Sequence, residues 1–139
     1  MSKIITLTLP GERAFARMAS QTASSIADFV TGDARQEPAG REFSHAFELA
    51  VSEAFTNSAT HDDACANMPT VTLTFEFEER QLTVSVRDAN EPFSIETPAP
   101  DIENYPENGY GLWIIRKVMD SVTYRREGNS NIISMSKTL

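Results

Sequence analysis

Glu53 and Asn57 stand four residues apart in ELAVSEAFTNSATH, residues 48–61. Residues at that spacing lie one above the other on a helix, so a carboxylate and an amide converge on one point. At about 100° per residue, Phe43, Phe47, Ala50, Val51, Ala54 and Ser58 form one stripe with Glu53 and Asn57 on its flank. That is where a half-buried polar site would sit, with the small Ala46 and Ala50 leaving room for a ligand. Taken alone, the pair is weak evidence, since such spacing more often marks a solvated face or a helix-stabilising side-chain contact. Two further segments add chemistry. VSVRDANEPF, residues 84–93, alternates as a strand and breaks at Asp88, an acid placed at a strand end to accept a hydrogen bond. GYGLWII, residues 109–115, sets Gly109 and Gly111 ahead of an apolar helical pattern, where backbone N–H groups and the helix terminus favour an anion.

The elements that must position these residues follow from periodicity. Residues 3–9 alternate with Ile5, Leu7 and Leu9 on one side and end at Pro10-Gly11. Phe15, Met18, Ala19, Thr22, Ile26, Phe29 and Val30 recur at helical spacing between Glu12 and Val30. After a linker at 35–40, the helix carrying Glu53 is expected over about 41–61. Thr70–Glu78 and a strand through Arg87 form a hairpin, with Arg80-Gln81 as the connection. Residues 89–108 hold Pro92, Pro98, Pro100 and Pro106 among few apolar residues and read as a long loop. A helix from Gly111 to about Met119 and two strands around a Gly128-Asn129 turn complete the chain. The irregular alternation with a hairpin predicts an α+β sandwich, a mixed sheet with helices on one face.

At 139 residues the chain reads as one domain, 1–139, with 40% hydrophobic and 23% charged residues as in globular proteins. No apolar run reaches the roughly 18 residues that span a bilayer, and MSKIITLTLP lacks the pattern of a signal peptide, so no membrane association and a cytoplasmic location are expected. The single cysteine, Cys65, excludes an internal disulfide and reads as a small connector residue. A net charge of −8 without a basic patch argues against direct nucleic-acid binding and permits a basic protein partner.

In order and type, these segments resemble the boxes of the GHKL (histidine-kinase-like) ATPase superfamily. Within it the chain is most similar to the small anti-sigma-factor serine/threonine kinases of the RsbW and SpoIIAB type. Their VSEAxTNAxxH helix is matched by Val51, Ser52, Glu53, Ala54, Thr56, Asn57 and His61, and their GxGLxxI helix by Gly109, Gly111, Leu112 and Ile115. Met119-Asp120 and the strand after it continue the match. The resemblance implies a two-layer α/β sandwich of the Bergerat type, with a mixed, mostly antiparallel sheet and a nucleotide lid at about 94–108.

For function, the resemblance implies an ATP-binding anti-sigma factor that phosphorylates a STAS-domain anti-sigma antagonist, sequesters a sigma factor, and forms a homodimer. Asn57 would ligate Mg²⁺ and Glu53 would act as general base. Asp88 would accept from the adenine amine, with Asn90, Gly109, Gly111 and Leu112 completing the nucleotide site; His61 has no assigned role. Asn90 stands where the family has glycine, and an asparagine tolerates left-handed backbone at a cost of about 1 kcal/mol. That departure leaves a second possibility, a non-catalytic, nucleotide-responsive binding module of the same fold.

Overall fold

Alternating apolar and polar residues pair into one five-stranded sheet in a computed structural model that describes residues 1–59, 70–89 and 107–139. Strands β1 (Lys3–Pro10), β2 (Thr70–Glu78), β3 (Gln81–Asp88), β4 (Ser121–Glu127) and β5 (Ser130–Thr138) lie in the order β1-β2-β3-β5-β4. The sequence predicts a mixed, mostly antiparallel sheet, whereas all four pairings here are antiparallel. Short hairpins join β2 to β3 and β4 to β5, and a hairpin can only be antiparallel. The first turns through Glu79 and Arg80, one residue earlier than expected, with Arg80 at φ 63°. The second turns through Gly128, at φ 60°, and Asn129.

Three helices, α1 (Ala16–Thr31), α2 (Pro38–Ser58) and α3 (Glu107–Val118), cover one face of the sheet. Val71, Leu73, Phe75 and Phe77 of β2, Leu82, Val84 and Val86 of β3, and Ile133 and Met135 of β5 are buried beneath them. The residues between point the other way, and the register aligns Thr6, Thr74, Ser85, Ser134 and Thr123 in one row across that outer face. This is the one-sided alternation of an antiparallel sheet with a wet face.

The α2 stripe of Phe43, Phe47, Ala50, Val51, Ala54 and Ser58 is buried as the spacing predicts, joined by Phe55. Phe43 and Phe47 meet edge to face at 5.0 Å. The helix opens at Pro38, which suits a first helical turn because its missing N–H would be unpaired there. It ends at Ser58, short of the expected 61, with Ala59 as its C-cap; His61, Cys65, Asn90 and 94–106 of the lid expected over 94–108 lie outside the described residues, and 107–108 belong to α3.

The phase of α1 differs from expectation. Ala19, Ala23 and Ala27 are fully buried, whereas Met18 and Phe29, read as part of the apolar stripe, are 51% and 67% exposed. Alanines four apart give α1 a smooth side that lets it approach α2 closely, which a side carrying Met18 and Phe29 would prevent. Ser44 of α2 donates to the Asp28 carboxylate of α1 at 2.5 Å, fixing the contact. Ala46 and Ala50 are buried in the core rather than lining open space. Among the described residues, no helix is long and apolar enough to cross a membrane.

Candidate functional site

Glu53 and Asn57 lie in the last two turns of α2, both half-buried, on the flank of the buried stripe. Their backbone is fixed by the residues between them, since Ala54 and Phe55 are anchored in the core. Opposite them stands α3. A Cβ built on Gly111 would lie 2.8 Å from Glu53 Oε2, 3.3 Å from Asn57 Nδ2 and 3.6 Å from Asn57 Oδ1. The glycine therefore forms a bare wall against which the carboxylate and the amide rest. Two segments more than fifty residues apart in the chain, each singled out for its own chemistry, meet at that wall.

The helix start differs from the one expected. The spacing predicts a helix from Gly111 with Gly109 ahead of it, yet α3 begins at Glu107 and includes both glycines. Glu107 puts an acid in the first turn, where the helix dipole favours negative charge. Unpaired N–H groups belong to the first four residues of a helix, so Gly109 falls among them and Gly111 does not. What Gly111 contributes is space. Leu112 is only 5% exposed and packs in the core with Ile115 and Met119, holding α3 in place.

Asp88 is the last residue of β3, inside the strand rather than beyond it. It continues the inward row of Leu82, Val84 and Val86, so its carboxylate lies on the helix side of the sheet, 4% exposed. A buried carboxylate requires hydrogen-bond donors. Asn131, directly opposite on β5 and 1% exposed, supplies one from Nδ2 to Asp88 Oδ1 at 3.0 Å. Asn131 Oδ1 in turn accepts from the Tyr124 hydroxyl at 2.8 Å and from Arg126 Nη1 at 2.7 Å. Sequence reasoning missed Asn131, Tyr124 and Arg126 because their contact with Asp88 depends on strand register, which a single sequence does not display.

The donor set suits a nucleotide carrying a hard divalent cation. Glu53 and Asn57 offer side-chain oxygens, the ligand type Mg²⁺ takes, and Mg²⁺ uses few protein ligands because waters and phosphate oxygens complete its shell. Among the described residues, no group of three or more His, Cys, Asp or Glu could hold a metal by itself. An apolar groove between β1 and α1, lined by Ile5, Met18, Ile26 and Phe29, includes none of these site residues.

Over residues 16–137 the chain matches the family described as the histidine kinase-like ATPase domain. It is similar to the serine-protein kinase RsbW of Staphylococcus aureus strains MSSA476 and MW2, at 32% identity over 100 residues in each. The aligned part is 65% of this chain and 62% of the relative, so the chain spans about three fifths of those proteins. The histidine kinase domain of a blue-light activated histidine kinase from Erythrobacter litoralis shares the fold, with a TM-score of 0.52 at 17% identity over 94% of this chain and 62% of that one.

Proposed function

Because the chain belongs to the histidine kinase-like ATPase domain family, we propose that it binds Mg-ATP and transfers the γ-phosphoryl group to a serine or threonine of a protein partner. The observation that carries this reading is the meeting of Glu53 and Asn57 with Gly111 across the α2–α3 contact. Similarity to proteins named as serine-protein kinases supports the same choice of acceptor. The motif resemblance supports a STAS-domain anti-sigma antagonist as the substrate, a sigma factor as the sequestered partner, and a cytoplasmic homodimer as the assembly.

Within that reading, Asn57 would hold Mg²⁺ through its side-chain oxygen, and the metal would supply charge neutralisation at the phosphates. Glu53 accepts the proton of the attacking hydroxyl as its oxygen bonds to the γ-phosphorus and ADP leaves. Its position against Gly111 limits where the carboxylate can lie and so orients it. The N-terminus of α3, with Gly109 in its first turn, favours the phosphate charge, and Asp88 accepts from the adenine amine.

The test uses labelled ATP and a STAS-domain partner, with partner binding measured separately. Glu53→Gln is expected to keep Mg-ATP binding and lose about 10²–10⁴-fold in transfer. Asn57→Ala is expected to weaken the Mg²⁺-dependent part of binding and to abolish transfer. Transfer by Glu53→Gln at the wild-type rate would remove Glu53 as base. A wild type that binds nucleotide and partner without transferring phosphate would instead establish the non-catalytic, nucleotide-responsive module.

A further inference from the structure

Arg126, Asn131 and Asp88 occupy one cross-strand row, Arg126 paired with Asn131 between β4 and β5, and Asn131 with Asp88 between β5 and β3. The row is on the helix side of the sheet, where Val86, Ile133 and Val122 also point. Along it the hydrogen bonds run in one direction. Arg126 Nη1 donates to Asn131 Oδ1 at 2.7 Å, and Asn131 Nδ2 donates to Asp88 Oδ1 at 3.0 Å. Tyr124, two residues before Arg126 on β4, adds its hydroxyl to the same Oδ1 at 2.8 Å.

An amide has two nearly isosteric orientations, and its neighbours decide between them. Turning Asn131 over would put its NH₂ group against the Arg126 guanidinium, which can only donate, and its carbonyl oxygen against the Asp88 carboxylate, with the Tyr124 hydroxyl alone able to reverse its role and accept. The observed orientation satisfies all three contacts, and the reverse loses those with Arg126 and Asp88. Asn131 is thus locked as a donor toward Asp88. That bond ties down one carboxylate oxygen and so fixes the direction of the other.

The geometry points to Asn131, clamped by Arg126 and Tyr124, as the positioning residue that aims the Asp88 carboxylate at the exocyclic amine of a bound adenine. This inference rests on the reading that a nucleotide lies against Asp88. It adds a specificity device on β4 and β5, outside the three sequence segments that carry the site. Arg126 is solvent-exposed, so an exposed guanidinium on the closing hairpin controls a buried base-reading acid through one intervening amide. A hydrogen-bonded chain in a poorly solvated site transmits such an effect because each member orients the next.

Calorimetric titration with ADP and with purine riboside 5′-diphosphate, which lacks the 6-amino group, separates positioning from mere structural support. The wild type is expected to prefer ADP by about tenfold or more, the scale of one hydrogen bond to a charged group. Asn131→Asp puts an acceptor against Asp88 and is expected to lower ADP affinity about tenfold, changing the analogue less than about threefold, so the preference disappears. Arg126→Gln, at an exposed position that tolerates substitution, is expected to reduce the preference partly, and Arg126→Lys, which keeps a cationic donor, to retain most of it. Equal weakening of both ligands in Asn131→Asp and Arg126→Gln, with the preference intact, would overturn the inference and leave nucleotide binding standing. A wild type that binds neither ligand would overturn the nucleotide reading and this inference together.

Discussion

Replacing Gly111 by alanine should separate stability from catalysis. The new methyl would lie 2.8 Å from Glu53 Oε2, about 0.6 Å inside ordinary contact, and 3.3 Å from Asn57 Nδ2. The helical backbone of α3 accepts alanine, and Gly→Ala at a compatible position stabilises by about 0.4–1 kcal/mol. Against that, the Glu53 carboxylate is the end of a flexible side chain and can swing aside at about 0.5–1.5 kcal/mol. These terms nearly cancel, so the melting temperature should stay within a few degrees of wild type. The displaced carboxylate is the proposed base, and a misplacement approaching 1 Å costs up to about 10²-fold in rate. Phosphoryl transfer should therefore fall about ten- to a hundredfold, equivalent to about 1.4–2.7 kcal/mol of barrier, in a protein of nearly unchanged stability. Transfer assays beside thermal melts decide the matter. Wild-type transfer by a folded Gly111→Ala protein would show that the contact with Glu53 has no part in the chemistry.

Asp88→Ala should weaken ADP binding about ten- to a hundredfold by calorimetry, the cost of removing one partner from a buried polar contact. Gly40→Ala should destabilise by about 1–3 kcal/mol or more, seen as a lower denaturation midpoint, because its Cβ would lie 1.9 Å from the Ala34 carbonyl oxygen, a backbone atom that cannot swing away. Arg80→Gly should raise stability by about 0.5–1 kcal/mol in urea titrations, since Arg80 holds left-handed backbone at φ 63° in the hairpin turn.

Much of the fold was legible because burial enforces periodicity. The α2 stripe from Phe43 to Ser58 is buried as its spacing predicts, and β2 and β3 pair as the predicted hairpin. Misread features have local physical causes. Met18 and Phe29 count as apolar in any pattern, yet the α1–α2 contact selects the smoother alanine side and leaves both exposed. The two glycines suggest a helix that starts no earlier than Gly111, but α3 begins at Glu107 and encloses them both. Within the candidate site, local spacing made the Glu53–Asn57 pair visible, since four residues on one helix define a geometry. The partners of Asp88 were hidden because Asn131 and Arg126 reach it only through the register of two closing strands.

The site divides between layers, and that division predicts how it fails. Glu53 and Asn57 keep their geometry through the α2–α3 contact, where Ala54 and Phe55 on one side and Leu112 and Ile115 on the other are buried. Asp88 keeps its geometry through cross-strand hydrogen bonds to Asn131, which do not involve either helix. Loosening the helical contact should therefore cost transfer and spare the choice of base, whereas disturbing the strand row should cost the choice of base first. Neighbours within one network couple strongly, while separated sites without shared partners act nearly additively. Combining Gly111→Ala with Arg126→Gln should thus give the product of the two single effects on transfer and on nucleotide preference. A marked departure from that product would mean that the helices and the strand row orient the nucleotide as one unit.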